Sequence, residues 1–105
     1  MPKRNKFGAV KTTVDGIVFH SKKEAARYVV LKELLASGAI SDLKLQVSHQ
    51  ITVLGVKICR YISDFEYLDS NGKFVCEDVK GRITPVYRLK KKLMLACHGI
   101  DIYET

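Results

Sequence analysis

Asp64, Asp78 and Lys80 are the residues in this chain whose types and spacing could do chemistry together. Asp64 stands within Tyr61-Ile62-Ser63-Asp64-Phe65, and thirteen residues separate it from the Asp78 of Glu77-Asp78-Val79-Lys80-Gly81. Along a strand, alternate side chains share a face, so Asp78 goes with Lys80, and Glu77 with Val79. Two carboxylates opposed across paired strands lie about 4.5–5.5 Å apart and repel. A strand pair that keeps them so calls for a cation. Oxygen ligands alone favour Mg²⁺ or Mn²⁺, which retain water and bind phosphate. An ammonium such as that of Lys80 can stabilise charge on a phosphate or orient attacking water. The bland alternative is a pair of solvated acids on an exposed strand, and the apolar flanks of both argue against it.

Which acid meets Asp64 depends on the turn. A three-residue loop at Ser70-Asn71-Gly72, with Gly72 left-handed, sets Asp64 opposite Asp78. A two-residue Asn71-Gly72 turn makes Glu77 the neighbour on that face instead. Turn chemistry leaves both registers open. With Lys80 on the Asp78 face, Glu77 is expected to be a solvated acid, or one that supports the site from behind.

The elements that position these residues follow from periodicity. Val10–Val14 and Ile17–His20 flank Asp15-Gly16, a two-residue hairpin signal. Ser21 opens a helix in which Ala25, Tyr28, Val29, Leu31, Leu34 and Leu35 recur at helical spacing, and Gly38 closes it. Ser21-Lys22-Lys23-Glu24 is a capping box, in which Glu24 folds back onto the backbone of the cap residue. From Leu43 the period becomes two, with Leu43, Leu45, Val47, His49, Ile51 and Val53 on one face of a strand that Gly55 ends. Gln46 and Gln50 lie on the opposite, solvent-facing side. Further strands are expected over about Lys57–Leu68 and Lys73–Lys80. Thr84-Pro85 starts a second helix, with hydroxyl cap and proline in the first turn. Its apolar side carries Tyr87, Leu89, Leu93, Met94 and Ala96, and Gly99 ends it before a short strand at Ile100–Glu104. The order is hairpin, helix, three strands, helix, strand: an α+β or α/β chain with helices on a mixed sheet.

Asp64, with Asp78-Val79-Lys80 fourteen positions on, resembles the bipartite motif of the PD-(D/E)XK nuclease superfamily. Ser63 stands where proline often does, a position that carries no chemistry. The superfamily's restriction-endonuclease-like core of helix, three strands, helix, strand is similar to the order read from Ser21 to Glu104. More narrowly, Val14-Asp15-Gly16-Ile17-Val18-Phe19, Ser21-Lys22-Lys23-Glu24-Ala25 and the two acidic segments resemble a family of small phage proteins with that signature. The resemblance implies a metal-dependent endonuclease acting on DNA, with branched or four-way junction DNA as one substrate. It implies Mg²⁺ or Mn²⁺ held by Asp64, Asp78, the Val79 carbonyl and Glu24, with Asp64, Asp78, Lys80 and Glu24 as the catalytic group. It also implies a homodimer, since one small site cuts two strands most simply through symmetry.

The rest of the chain sets bounds. At 105 residues it is one domain, with a basic arm over residues 1–6 and the nuclease-like domain over 7–105. Its formal charge of +7 suits a polyanionic partner. Arg88, Lys90, Lys91 and Lys92 on the second helix are candidates for phosphate contact, against the plainer reading of a solvated face. Cys59, Cys76 and Cys97 lack zinc-ligand spacing and read as small buried hydrophobes in a reducing cytoplasm. His20, His49 and His98 lack metal spacing too; His49 falls on an apolar face as a satisfied core histidine. No arrangement of His and Asn suits an HNH-type nuclease. No apolar run approaches the roughly 20 residues of a membrane span, and no secretory segment is expected at Met1–Lys6. Two other classes compete with a nuclease: a non-catalytic nucleic-acid-binding protein on the same fold, and a basic structural or interaction protein of a phage.

Overall fold

A computed structural model describes residues 10–105; the expected arm at 1–6 lies outside them. The chain runs β1 (Thr12–Val14), β2 (Ile17–Phe19), α1 (Lys22–Ser37), β3 (Ser41–Leu45), β4 (Ser48–Val53), β5 (Val56–Ile62), β6 (Phe65–Leu68), β7 (Phe74–Asp78), α2 (Pro85–His98) and β8 (Tyr103–Glu104). This is an α+β fold. A four-stranded mixed sheet in the order β3-β6-β7-β8 carries two separate hairpins, β1-β2 and β4-β5.

Local chemistry sets most boundaries where the sequence puts them. Asp15 and Gly16 have φ of 53° and 75°, the two positive values a tight hairpin turn requires. The Ser21 hydroxyl accepts from the Glu24 N–H, and Thr84 does the same for Tyr87. Both helices end on left-handed glycines, Gly38 and Gly99, where a side chain would be strained.

Two long strands expected from the alternation are each broken in the middle. Leu43–Val53 divides into β3 and β4, and Lys57–Leu68 into β5 and β6. The backbone at Gln46 turns left-handed, with φ 51°, and the whole ribbon bends there. Hydrogen bonds carry the ladder across the bend, from the Gln46 N–H to the Asp64 carbonyl at 3.1 Å and from the Ser63 N–H to the Val47 carbonyl at 3.0 Å. The β4-β5 hairpin is thus a separate two-stranded sheet, and Asp64 stands at the junction where it meets the main one. Alternation of residue types is the same on both sides of such a bend, so periodicity does not reveal it.

The sheet separates two apolar clusters. On one face Phe65 and Tyr67 pack with Phe19, Tyr28 and Leu31 under α1. On the other Cys76 packs with Ile51, Tyr61, Met94 and Ile102 under α2. Some expected core positions lie outside both: Val29, Leu89, Ala96 and Cys97 are exposed, while Cys59 is half-buried against the second cluster. Those helical positions flank the buried stripe, and a thin domain has no further layer to cover them. The last strand shrinks to two residues, running parallel to β7 after the α2 crossover. Among the described residues, no helix is long and apolar enough to cross a membrane.

Candidate functional site

The β6-β7 turn decides the register. The Asp69 N–H donates to the Lys73 carbonyl at 2.8 Å, closing a three-residue loop with Gly72 at φ 79°. Phe65 pairs with Glu77 and Glu66 with Cys76; continued by one residue, the register brings Asp64 level with Asp78.

Backbone bonds on both sides fix the Asp78 segment. Its neighbour Glu77 accepts from the Asp64 N–H at 3.2 Å, while Asp78 and Lys80 bond Thr105 just past β8 at 3.0 and 3.1 Å. The Asp64 carboxylate accepts the Val79 N–H at 2.8 Å. One Asp78 oxygen accepts from the Tyr61 hydroxyl at 2.6 Å, and the other meets the Lys80 ammonium at 3.1 Å. Lys80 also lies 3.6 Å over the Tyr87 ring, a cation–π contact that holds it in place. Lys23 Nζ donates to the Lys80 carbonyl at 2.6 Å, tying the start of α1 to the motif.

Glu24 is buried at the first turn of α1. Its carboxylate accepts the N–H of His20 at 3.3 Å, one residue before the cap, rather than that of Ser21 as a capping box requires. That leaves it within hydrogen-bonding reach of Asp64. The reciprocal half of the capping box is therefore not made, and Glu24 instead joins the backbone before α1 to Asp64.

Burial raises the pKa of Asp64 to about 6, and the hydrogen bond with Glu24 adds to it; Asp78 and the Val79 N–H pull the other way. Burial also lifts Asp78 to about 6, opposed first by Tyr61, reinforced by the Asp64 charge and opposed again by Lys80. Burial, then the Asp78 hydrogen bond, drives the Tyr61 phenol far above its ordinary range, so it acts as a donor. An open cleft of about 380 Å³ is lined by Asp64, Asp78 and Lys80, with Arg60 of β5 and Thr84 and Lys90 at and along α2 on its walls.

Glu24, Asp64 and Asp78 offer oxygen donors only, the ligand class that hard cations such as Mg²⁺ or Mn²⁺ prefer. Lys80 partly offsets one of them. The oxygens bonded to Tyr61 and Lys80 each keep a further lone pair.

Glu77 points away from this group, as the three-residue loop requires, but it is not solvated. It is fully buried, clasped by Arg27 at 2.7 and 2.8 Å, the Tyr67 hydroxyl at 2.7 Å and the Thr105 hydroxyl at 3.2 Å. That bidentate pairing raises Arg27 well above its ordinary value. Arg27 is fifty residues away in sequence, and nothing local announces it.

A family model described as "Protein of unknown function (DUF1064)" matches residues 4–100. The chain belongs to that family. No curated protein and no solved structure matches it.

In this DUF1064 chain the four cations of α2 are not equivalent. Arg88 and Lys92 are exposed. Lys91 is tied to Glu104 at 3.0 Å, and Lys90 donates to the Arg60 carbonyl at 2.9 Å at the cleft wall. Glu104 is held below its usual range by Tyr87 and then Lys91. Gln46 and Gln50 are exposed, as expected. His49 is satisfied by a hydrogen bond to Glu66.

Sequence reasoning misses two residues near the site. Tyr61 reads there only as an apolar flank, with no signal for its bond to Asp78. Glu66 does have a signal: it lies two residues from Asp64, on the same face, opposite Cys76 in the register that pairs Asp64 with Asp78.

Proposed function

We propose that this protein is a metal-dependent DNA endonuclease of the PD-(D/E)XK type, with a restriction-endonuclease-like core. The observation that carries the reading is the convergence of Asp64, Asp78 and Lys80 on one open cleft, with Glu24 beside Asp64; burial raises both aspartates, and a neighbouring carboxylate adds to each, Glu24 for Asp64 and Asp64 for Asp78. Buried acids crowded without enough countercharge are costly unless a cation binds them.

Asp64, Asp78 and Glu24, with the Val79 carbonyl, are the groups that would hold Mg²⁺ or Mn²⁺. Such an ion, when bound, supplies Lewis-acid stabilisation of charge on the phosphate. Lys80, steadied by Asp78 and the Tyr87 ring, places an ammonium where it can stabilise that charge or orient water. Tyr61 keeps Asp78 in one rotamer. Lys90 stands on the cleft wall, and with the exposed Arg88 and Lys92 it would supply phosphate contacts, branched DNA being one substrate. Two copies acting as a homodimer would cut both strands.

The test is incubation of the purified protein with supercoiled, linear and four-way junction DNA, in Mg²⁺, Mn²⁺, Ca²⁺ or EDTA. Cleavage in Mg²⁺ or Mn²⁺, and binding with little turnover in Ca²⁺, is expected. Equal products in EDTA and Mg²⁺ would refute the metal mechanism. Sedimentation of the same samples reads the oligomeric state.

A further inference from the structure

One step along the sheet from Asp64 and Asp78, the register sets Glu66 opposite Cys76. From beyond the bend, β4 brings His49 onto the same spot. An imidazole nitrogen, a carboxylate oxygen and the sulfur all lie within 4.8 Å of one another. Cys76 Sγ is 3.7 Å from Glu66 Oε2, His49 Nε2 hydrogen-bonds that oxygen, and the Ser63 hydroxyl donates to it at 2.9 Å. Glu66 and Cys76 are only 5% and 2% exposed.

A tetrahedral zinc ion, with bonds of about 2.0–2.3 Å, separates its ligands by roughly 3.3–3.7 Å. The sulfur–oxygen distance is already of that size, and only the His49 ring has to draw back to admit the ion. We propose that His49, Glu66 and Cys76 form a second metal site, taking a borderline-soft divalent cation of the zinc class. Sulfur and imidazole in the donor set select against Mg²⁺, so its chemistry differs from that of the all-oxygen group. Binding releases the Cys76 thiol proton to solvent. The three protein ligands leave a fourth position for water; the nearby His98 is engaged with the Gln50 carbonyl at 2.9 Å. An ion there ties the β4-β5 hairpin to the main sheet behind the candidate catalytic site.

Cobalt is the probe. The metal-free full chain, kept reduced with a non-thiol reductant, is titrated with Co²⁺. Expected is saturation at about one equivalent per chain, with thiolate-to-cobalt charge-transfer and tetrahedral ligand-field absorption. Zn²⁺ should bleach both and Mg²⁺ should not. Cys76→Ser and, independently, His49→Gln should each weaken binding by more than about tenfold, folding being checked by circular dichroism. Should Cys76→Ser fail to fold, the partly exposed His49→Gln decides. Cys97→Ser and Asp78→Asn should leave the spectrum unchanged, the latter keeping this site separate from the proposed nuclease centre. No charge-transfer band, a band lost only in Cys97→Ser, or a band lost in Asp78→Asn would each overturn the assignment.

Discussion

Asp64 and Asp78 titrate in the wrong direction for ordinary paired acids, and that has a measurable sign. Each rises from 3.8 to about 6 on folding. A group whose folded pKa exceeds its unfolded one contributes stability below about pH 4 and loses it as pH rises through about 6. The metal-free protein should therefore lose melting temperature across that window. Asp64→Asn keeps an oxygen for the Val79 N–H and offers an amide to its acidic neighbours. Its melting temperature should exceed that of the parent by several degrees at pH 8 and converge with it near pH 4. Cleavage should fall by roughly a hundredfold or more; a difference in melting that does not vary with pH would place the strain elsewhere. Glu24→Gln separates two roles on one side chain. Glutamine still accepts the His20 N–H, so stability should hold while cleavage falls at least about tenfold. Unchanged cleavage and metal dependence would leave Glu24 with its backbone role alone.

At the scale of elements, the hairpin register gives Glu77 a structural task on the far face. Glu77→Gln breaks a buried bidentate pair with Arg27, which costs roughly 3 kcal/mol. Thermal melting should show that loss, while the folded fraction cleaves in Mg²⁺ at the parent rate. A dead but fully stable Glu77→Gln would reverse the assignment of faces. On α2, Lys91 is already committed to Glu104, so Arg88 and Lys92 are the better probes of phosphate contact. Replacing both with alanine should lower the salt dependence of DNA binding by about 0.9 for each phosphate they neutralise in the parent; an unaltered slope would mark the helix face as merely solvated. The elements themselves are legible because their signals are local: Asp15-Gly16, Ser21, Gly38, Thr84-Pro85 and Gly99. The Gln46 bend is not, since a kink preserves alternation. Nor are Arg27–Glu77 and Tyr61–Asp78, which join residues distant in sequence through contacts that no spacing rule encodes. Asp78 and Lys80 can be grouped from sequence by strand alternation, whereas Asp64 joins them through the three-residue turn, one of the two registers that the sequence leaves open.

Across the whole molecule, charge is arranged in opposition. A chain of net +7 carries at its cleft a knot of carboxylates in which Asp64 meets Asp78 on one side and Glu24 on the other. In the proposed complex the net positive charge would draw a polyanion in, while the acids would repel the phosphate that comes nearest. A divalent ion among those acids reverses that local repulsion, and thermodynamic linkage makes the reversal mutual. Whatever factor the ion adds to the affinity for DNA, DNA adds to the affinity for the ion. At constant ionic strength, with Ca²⁺ to suppress turnover, DNA affinity should rise with the divalent ion and ion affinity should rise with DNA by the same factor. In Asp78→Asn the two should become nearly independent, turning the acidic knot from a gate for phosphate into an ordinary patch of surface.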